Sequence, residues 1–306
     1  MPDNQRLLAV VLFHNAVDDA VRTVESLLAQ QGAAVDIVVF DNASSTEANA
    51  RLAEALPGVA VHRSPTNLGY TGGNNAALQL GTAAGYDYVL LCNQDIIVPP
   101  TAIAHLLECA AARPTAGLIG GVEIVHSTGR TRAAGATGFS TITGRFAWDT
   151  GEHAPVANGR LVDFVQGAMV MVATAVVQRG LRFDDQLFLY YDEVDLGLQV
   201  RALGFEAVID DRVLVRHDND DNYLSPSCGY FQQRNRVYLA RKYGTALTLA
   251  THVLMVGGLE LPAKTLVRGL QGHGRFVAAC WHGFLDGLRS IMGAGHGARW
   301  RPSRAR

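Results

Sequence analysis

The sequence predicts an α/β fold built on a doubly wound, mostly parallel sheet with helices on both faces. Three observations carry that expectation. Continuous apolar runs of strand length recur through the first hundred residues, and segments with helical apolar spacing separate them. Polar residues then gather at the carboxyl ends of those runs, where open α/β sheets bind their ligands.

Taken in order, Leu7–Phe13 is an unbroken apolar run, the pattern of a strand covered on both faces. Residues 18–31 follow with Val21, Val24, Leu27 and Leu28 at helical spacing, and Gly32 supplies a stop. Residues 35–40 form the second strand, ending at Asp41-Asn42. A helix over 46–56 leads to a short strand at 59–62. A helix over 73–80 then leads to the buried strand 86–92. Residues 127–159 are rich in Gly, Thr and Arg with weak periodicity and read as a loop or loose hairpin. Residues 162–177 are apolar around Gly167-Ala168. Asp192, Glu193 and Asp195 open a helix that runs to Leu203 and stops at Gly204. Residues 208–215 read as a strand with His217 just beyond, and from Tyr230 onward the chain reads as helical. The division expected is a domain over 1–243 and a helical, basic extension over 244–306.

Composition bounds the function. The chain has 306 residues, 48% of them hydrophobic and 18% charged, which excludes a wholly disordered or fibrous protein. The net charge of −2 hides an asymmetry: from Arg241 onward ten Lys and Arg face two acids, so the body is near −10 and the tail near +8. An acidic body excludes nucleic acid as a partner, since the one dense basic run, at 299–306, holds a single aromatic. Cys92, Cys109, Cys228 and Cys280 show neither CxxC pairing nor finger spacing, which fits a reducing, cytoplasmic setting. The amino terminus lacks a basic region ahead of its apolar run, so no secretory signal is expected. The uncharged stretch 244–259 has about sixteen residues, short of the roughly 20 a spanning helix needs, so no transmembrane helix is expected.

No glycine occurs in 13–17 and no Gly-Lys pair occurs anywhere, which disfavours a dinucleotide loop and a P-loop. Asn67-Leu68-Gly69-Tyr70-Thr71-Gly72-Gly73-Asn74-Asn75 is either a flexible turn with a helix cap or a backbone that approaches phosphate closely. Asn93-Gln94-Asp95 ends an apolar strand. Asp95 is either a cap for a helix starting near Pro99 or an oxygen ligand for Mg2+ or Mn2+. Asp192, Glu193 and Asp195 either complement a helix dipole or supply a general base. His217 is either a surface histidine or a nitrogen ligand.

In this order, these segments resemble the family 2 inverting glycosyltransferases of GT-A type fold, across roughly residues 7–243. The resemblance implies that Asp41, in Val38-Val39-Phe40-Asp41-Asn42-Ala43-Ser44-Ser45, contacts the nucleotide base. It implies a donor site of His14, Asn15, Asp41, Asn42, Asn67, Gly69, Gly73, Asn74, Asn93 and Gln94. Asp95 matches the family's metal motif, and His217 matches a downstream metal-binding histidine. Residues 188–199 resemble the Phe-x-Tyr-x-Glu-Asp-x-Asp-Leu-x-x-Arg helix, which gives the base to Glu193, with Asp192 beside it. Arg234-Asn235 resembles a pair common in the bacterial polysaccharide and rhamnosyltransferase branch, and with Gly167 and Ala168 is assigned to an acceptor or lid role. Three departures stand out: Asn93 replaces an Asp, Gln199 replaces the motif's Arg, and the Glu-Asp order is reversed.

The implied activity moves a sugar from a UDP- or dTDP-linked donor to a saccharide or lipid-linked acceptor, with a divalent metal. A catalytically silent sugar-nucleotide binding protein and a sugar nucleotidyltransferase are the competing readings. The extension, rich in apolar stretches and Arg with Trp281 and Trp300, reads in two ways. It is either a peripheral anchor on the anionic inner face of the plasma membrane, or a helical pair packed on the catalytic domain or on another subunit of a homo-oligomer.

Overall fold

The computed structural model describes residues 5–125, 127–217 and 223–300. Residues 301–306, which carry most of the basic terminal run, lie outside the described residues. The described residues within Met1–Thr137, Trp148–Phe183 and Leu196–Asn219 form one compact unit; those within Gly138–Ala147, Asp184–Asp195 and Asp220–Arg306 form a second.

The chain opens with β1 (Leu7–Phe13), α1 (Val17–Leu28), β2 (Asp36–Asp41), α2 (Thr46–Ala55), β3 (Ala60–Arg63), α3 (Gly69–Ala83) and β4 (Tyr88–Asn93). This is the alternation read from the sequence. Then come β5 (Ile96–Ile97), α4 (Ala102–Ala112), β6 (Ala116–Val125), β7 (Thr131–Ala133), β8 (Ala136–Ser140) and β9 (Arg145–Trp148). After these follow β10 (Arg160–Val162), β11 (Met169–Ala173), α5 (Thr174–Gln178), α6 (Asp192–Ala202) and β12 (Glu206–His217). The large sheet has the order β10-β12-β6-β11-β4-β1-β2-β3. Strands β3, β2, β1 and β4 are mutually parallel, β12 is parallel to β6, and β11 runs antiparallel between β4 and β6.

Two-residue periodicity divides the core between the faces of the sheet. Leu7, Ala9, Val11 and Phe13 of β1 pack with Val24 and Leu27 of α1 and Ile103 and Leu106 of α4. Leu8 and Val10 point the other way, with Ala77 and Leu78 of α3, Val176 of α5, and Leu196 and Val200 of α6.

Helix α3 and residues 127–159 depart most from the sequence expectation, and β12 extends to include His217. Helix α3 starts at Gly69, four residues before the expected 73, and absorbs the glycine-rich segment. The cause is side-chain clamping: the Asn42 Oδ1 accepts from Leu68 N at 2.8 Å and Asn67 Oδ1 accepts from Gly69 N at 2.8 Å. A Cβ at Gly73 would sit 2.5 Å from Leu12 Cδ1, so glycine there lets that side chain lie close against α3. Residues 127–159 carry ordered strands: β7 on β6, and the β8–β9 ribbon.

The second unit contains α7 (Pro226–Tyr243), α8 (Ala246–His252), α9 (Leu261–Leu270) and α10 (Gly274–Leu288). Val237, Val256, Leu261, Phe276, Cys280 and Phe284 form its core. A Cβ at Gly283 of α10 would lie 2.0 Å from Tyr230 O, so glycine sets how closely α10 and α7 approach. A π-helical stretch, Val253–Glu260, joins α8 to α9 without a break. The resulting helix Ala246–Leu270 has 25 residues and a mean hydropathy of 1.3 over its best window. By length and composition alone it is long enough to cross a membrane, contrary to the expectation from 244–259. Glu260, inside it, pairs with Arg236 and Arg145.

Candidate active site

At the carboxyl ends of β1 and β2 the chain turns through two non-glycine residues in the left-handed region, Asn15 (φ 66°) and Ala43 (φ 60°). Such conformations cost about 1–3 kcal/mol and persist where neighbours hold them. Here Asn15 N donates to Ser44 Oγ at 2.9 Å and Ser45 N donates to Asn15 Oδ1 at 2.8 Å. Asp41 supports the same turn from beneath. Its fully buried carboxylate accepts from Ser44 N (2.8 Å) and Asn49 Nδ2 (2.8 Å) and pairs with Arg63 Nη1 at 3.0 Å. Asp41, which the resemblance sets against a nucleotide base, thus also shapes this turn.

His14 links the strand ends. Its Nδ1 lies 3.0 Å from Asn42 O, which fixes that nitrogen as the donor and leaves Nε2 to accept from Asn15 Nδ2 (3.1 Å) and Asn67 Nδ2 (3.4 Å). His14 N donates to Gln94 Oε1 at 2.8 Å. His14, Asn15, Asn42, Asn67 and Gln94, expected to share a rim, are thus joined in one network. Asn93 is half-buried at the end of β4, and its N donates to Ala168 O at 2.9 Å. Gly167 O accepts from Tyr70 Oη at 2.5 Å, and a Cβ at Gly167 would come within 2.9 Å of that oxygen. Asn74, inside α3, is buried and its Nδ2 has no hydrogen-bond partner.

Strand register builds the second cluster. His217 at the end of β12 pairs with Ile96 of β5 on one side and with Val125 of β6 on the other. Asp95 immediately precedes Ile96, and Glu123 lies two residues before Val125. Consequently Asp95 Oδ1 is 3.1 Å from His217 Nε2, and Glu123 Oε1 is 2.7 Å from His217 Nδ1. Arg132 Nη1 donates to Glu123 Oε1 at 3.1 Å. Burial pulls the His217 imidazolium down, but hydrogen bonds to the two carboxylates outweigh it and hold the group up at about 10. Asp95 is not a helix cap: α4 begins at Ala102 with Thr101 as its flanking residue.

In the second unit, the acidic helix start follows a strained segment. Phe188, Tyr190 and Tyr191 have φ of 63°, 66° and 67°. Asn235 Nδ2 shares its two N–H groups among Leu187 O (3.1 Å), Leu189 O (2.9 Å) and Tyr190 O (2.7 Å). Arg234 Nη2 donates to Leu187 O at 2.6 Å and Gln186 O at 3.2 Å. Both side chains are fully buried. Arg234 and Asn235, expected in an acceptor or lid role, direct their donors to the backbone ahead of α6.

The three acids have different surroundings. Asp195 is buried and accepts from Lys242 Nζ and Tyr243 Oη, each at 2.6 Å. Asp192 is buried, and burial together with the Glu193 charge raises its carboxyl well above the usual range. Glu193 is half-buried, and burial pushes it up to about 7. Gln199, at the motif's Arg position, brackets Arg182: Nε2 donates to Arg182 O at 2.9 Å and Oε1 accepts from Arg182 N at 3.4 Å.

Sequence comparison adds the deciding observation: the family described as "Glycosyltransferase like family 2" matches residues 6–240. The chain belongs to that glycosyltransferase family. Two Mycobacterium tuberculosis proteins named N-acetylglucosaminyl-diphospho-decaprenol L-rhamnosyltransferase are 26% identical to this family 2 chain over 194 residues, 57% of it and 63% of theirs. Succinoglycan biosynthesis protein ExoO of Rhizobium meliloti is 32% identical over 126 residues, 40% of this chain and 34% of its own length. The chain therefore spans less than two thirds of the curated relatives it matches. Among solved structures, the mannosyltransferase PcManGT from Pyrobaculum calidifontis, in complex with GDP-Man and Mn2+, is similar with a TM-score of 0.55 at 15% identity. It covers 94% of this chain and 88% of that one, and establishes the fold as the GT-A type.

The Mn2+ belongs to that neighbour, but Asp95 and His217 of this family 2 chain suit a divalent ion. They offer an oxygen and a nitrogen 3.1 Å apart; Glu123 on Nδ1 orients the ring, and loss of the Nε2 proton would make that nitrogen a ligand. Sequence reasoning missed Glu123, Arg132 and Lys242. Glu123 did leave a signal, as the one charged side chain in the ten residues of β6.

Proposed function

We propose that the chain transfers a sugar, with inversion, from a UDP- or dTDP-linked donor to a hydroxyl of a saccharide or lipid-linked acceptor. The observation that carries this reading is the division of labour among the acids. Lys242 and Tyr243 engage Asp195 and burial encloses Asp192, so Glu193 is the half-buried carboxylate, titrating near neutrality. Glu193 takes the proton of the acceptor hydroxyl while that oxygen bonds to the anomeric carbon. The bond from that carbon to the diphosphate breaks, and its electron pair leaves with the diphosphate. A divalent ion, Mg2+ or Mn2+, held by Asp95 and His217 would supply positive charge to the leaving diphosphate. The network of His14, Asn15, Asn42, Asn67 and Gln94 orients the donor. We assign this chemistry to residues 1–243.

The test is a panel of sugar nucleotides with and without Mn2+, followed by thermal shift and by release of nucleoside diphosphate. Stabilisation by one donor with acceptor-dependent release supports transfer. Binding without turnover supports a silent binding protein, and pyrophosphate-linked exchange with a sugar phosphate supports a nucleotidyltransferase. Replacing Glu123 with Gln is expected to weaken Mn2+ affinity about 10–100-fold, read by calorimetry. Unchanged affinity would leave Glu123 a packing role only.

The reading extends to location, assigned to residues 244–306. Leu247, Leu254, Leu259, Leu266 and Leu270 are exposed along the helix Ala246–Leu270, in the part of the chain with the basic excess. This supports a peripheral anchor on an anionic membrane. Full-length protein should sediment with phosphatidylglycerol vesicles, and the double change Leu254→Glu, Leu266→Glu should weaken that binding at least tenfold. If those changes instead turn a dimer into a monomer and leave vesicle binding alone, the face belongs to a second subunit.

A further inference from the structure

Helix α10 carries a cluster that sugar transfer does not use. His282 and Asp286 are four residues apart and share a helix face, and the chain beyond α10 returns His296 to them. One imidazole nitrogen from each histidine and one Asp286 oxygen all lie within 4.8 Å of one another. Asp286 is fully buried. Its Oδ2 accepts from Tyr230 Oη at 2.6 Å and lies 2.8 Å from His296 Nδ1. Its Oδ1 has no hydrogen-bond partner, and neither has the buried Nδ1 of His282. Unpaired buried groups of this kind cost about 1–3 kcal/mol each, more when charged. Two of them in one three-residue cluster point to a cation.

We propose that His282, Asp286 and His296 bind a transition-metal ion of the Zn2+ type. Two imidazoles and a carboxylate form a donor set suited to Zn2+, with water completing the tetrahedron; Mg2+ and Ca2+ prefer oxygen donors throughout. The exposed His296 gives the ion a way in, and the indole of Trp300 meets the His282 ring edge-on at 5.8 Å. The ion ties the segment after α10 to the helix. That segment includes Gly293, whose N donates to Gln186 O at 2.9 Å and whose carbonyl accepts from Arg234. The site is thus a clip on the framework that holds residues 186–190.

The test uses full-length protein stripped by chelator and kept in millimolar Mg2+, titrated with Zn2+ and separately with Co2+. An Asp95→Asn background weakens uptake at the other cluster, and the His282 and His296 variants assign what remains. One equivalent of Zn2+ should bind, with a rise in Tm of several degrees and, for Co2+, the visible absorption of a tetrahedral centre. His282→Ala and His296→Ala should each weaken binding at least a hundredfold. If His282→Ala does not fold, His296→Gln on the exposed side chain decides. No uptake in the Asp95→Asn protein, or uptake that His296→Gln leaves unchanged, overturns the proposal.

Discussion

Glu193→Gln should lower kcat/KM for sugar transfer by about 10²–10⁴-fold while leaving the fold and nucleotide binding intact. The amide keeps the volume of the side chain and loses the basic oxygen. The pH profile supplies an independent reading. Burial holds the Glu193 carboxyl at about 7, and only the ionised form accepts a proton. Wild-type kcat/KM should therefore fall about tenfold per pH unit below about 7 and level off above it. Stability should move the opposite way. The folded-state value lies above the ordinary 4.5, so the protein is most stable where Glu193 is protonated in both states, and it loses stability as pH rises from 4.5 through 7. Glu193→Gln should then stabilise the protein at pH 8 by on the order of 1–3 kcal/mol and leave it unchanged at pH 4. Full activity in the Gln variant would remove Glu193 from the mechanism.

Arg236→Met should destabilise the protein by about 3–5 kcal/mol, measured by denaturant unfolding. Arg236 is buried and makes a two-pronged contact with Glu260, Nη1 to Oε1 at 2.7 Å and Nη2 to Oε2 at 2.8 Å; it also donates from Nε to Thr143 O at 3.1 Å. Burial alone would raise the Glu260 carboxyl, but Arg236, with Lys264 and Arg145, holds it down at about 2. The pair's contribution is complete above the ordinary value of 4.5 and is lost as pH falls toward 2. Arg145 and Lys264 remain near Glu260 in the variant, at 3.0 and 3.4 Å, so the lower end of the range is the better expectation. The double variant Arg236→Met, Glu260→Leu should recover most of the loss, because no buried charge is then left without a partner. Equal losses in the single and double variants would show that the carbonyl of Thr143, rather than Glu260, is the partner that matters.

In the parallel half of the sheet, β1 and β4 are legible because they are buried on both faces and read as unbroken apolar runs. The rim was legible for the same reason: His14, Asn42, Gln94 and Asp95 are conspicuous directly after such runs. Helix α3 was read short because glycines argue against a helix locally. Its true start depends on Asn42, a residue 27 positions away from the Gly69 carbonyl it clamps. Strands β7 to β9 are short and half polar, so periodicity gives them no signature. Arg234 and Asn235 take an acceptor or lid role only through the family resemblance; satisfaction of buried carbonyls leaves no mark in a linear pattern. The pairing of Lys242 with Asp195 spans 47 positions and has no local trace either.

The dependence of residues 187–190 on Asn235 has a consequence for synthesis. The carbonyls at Leu187 and Tyr190 meet their donor only after another 48 and 45 residues have been made. A nascent chain still short of that helix lacks these donors for the segment that carries the left-handed residues. Ribosome-bound intermediates should accordingly be silent toward sugar nucleotides until Asn235 has emerged from the ribosome.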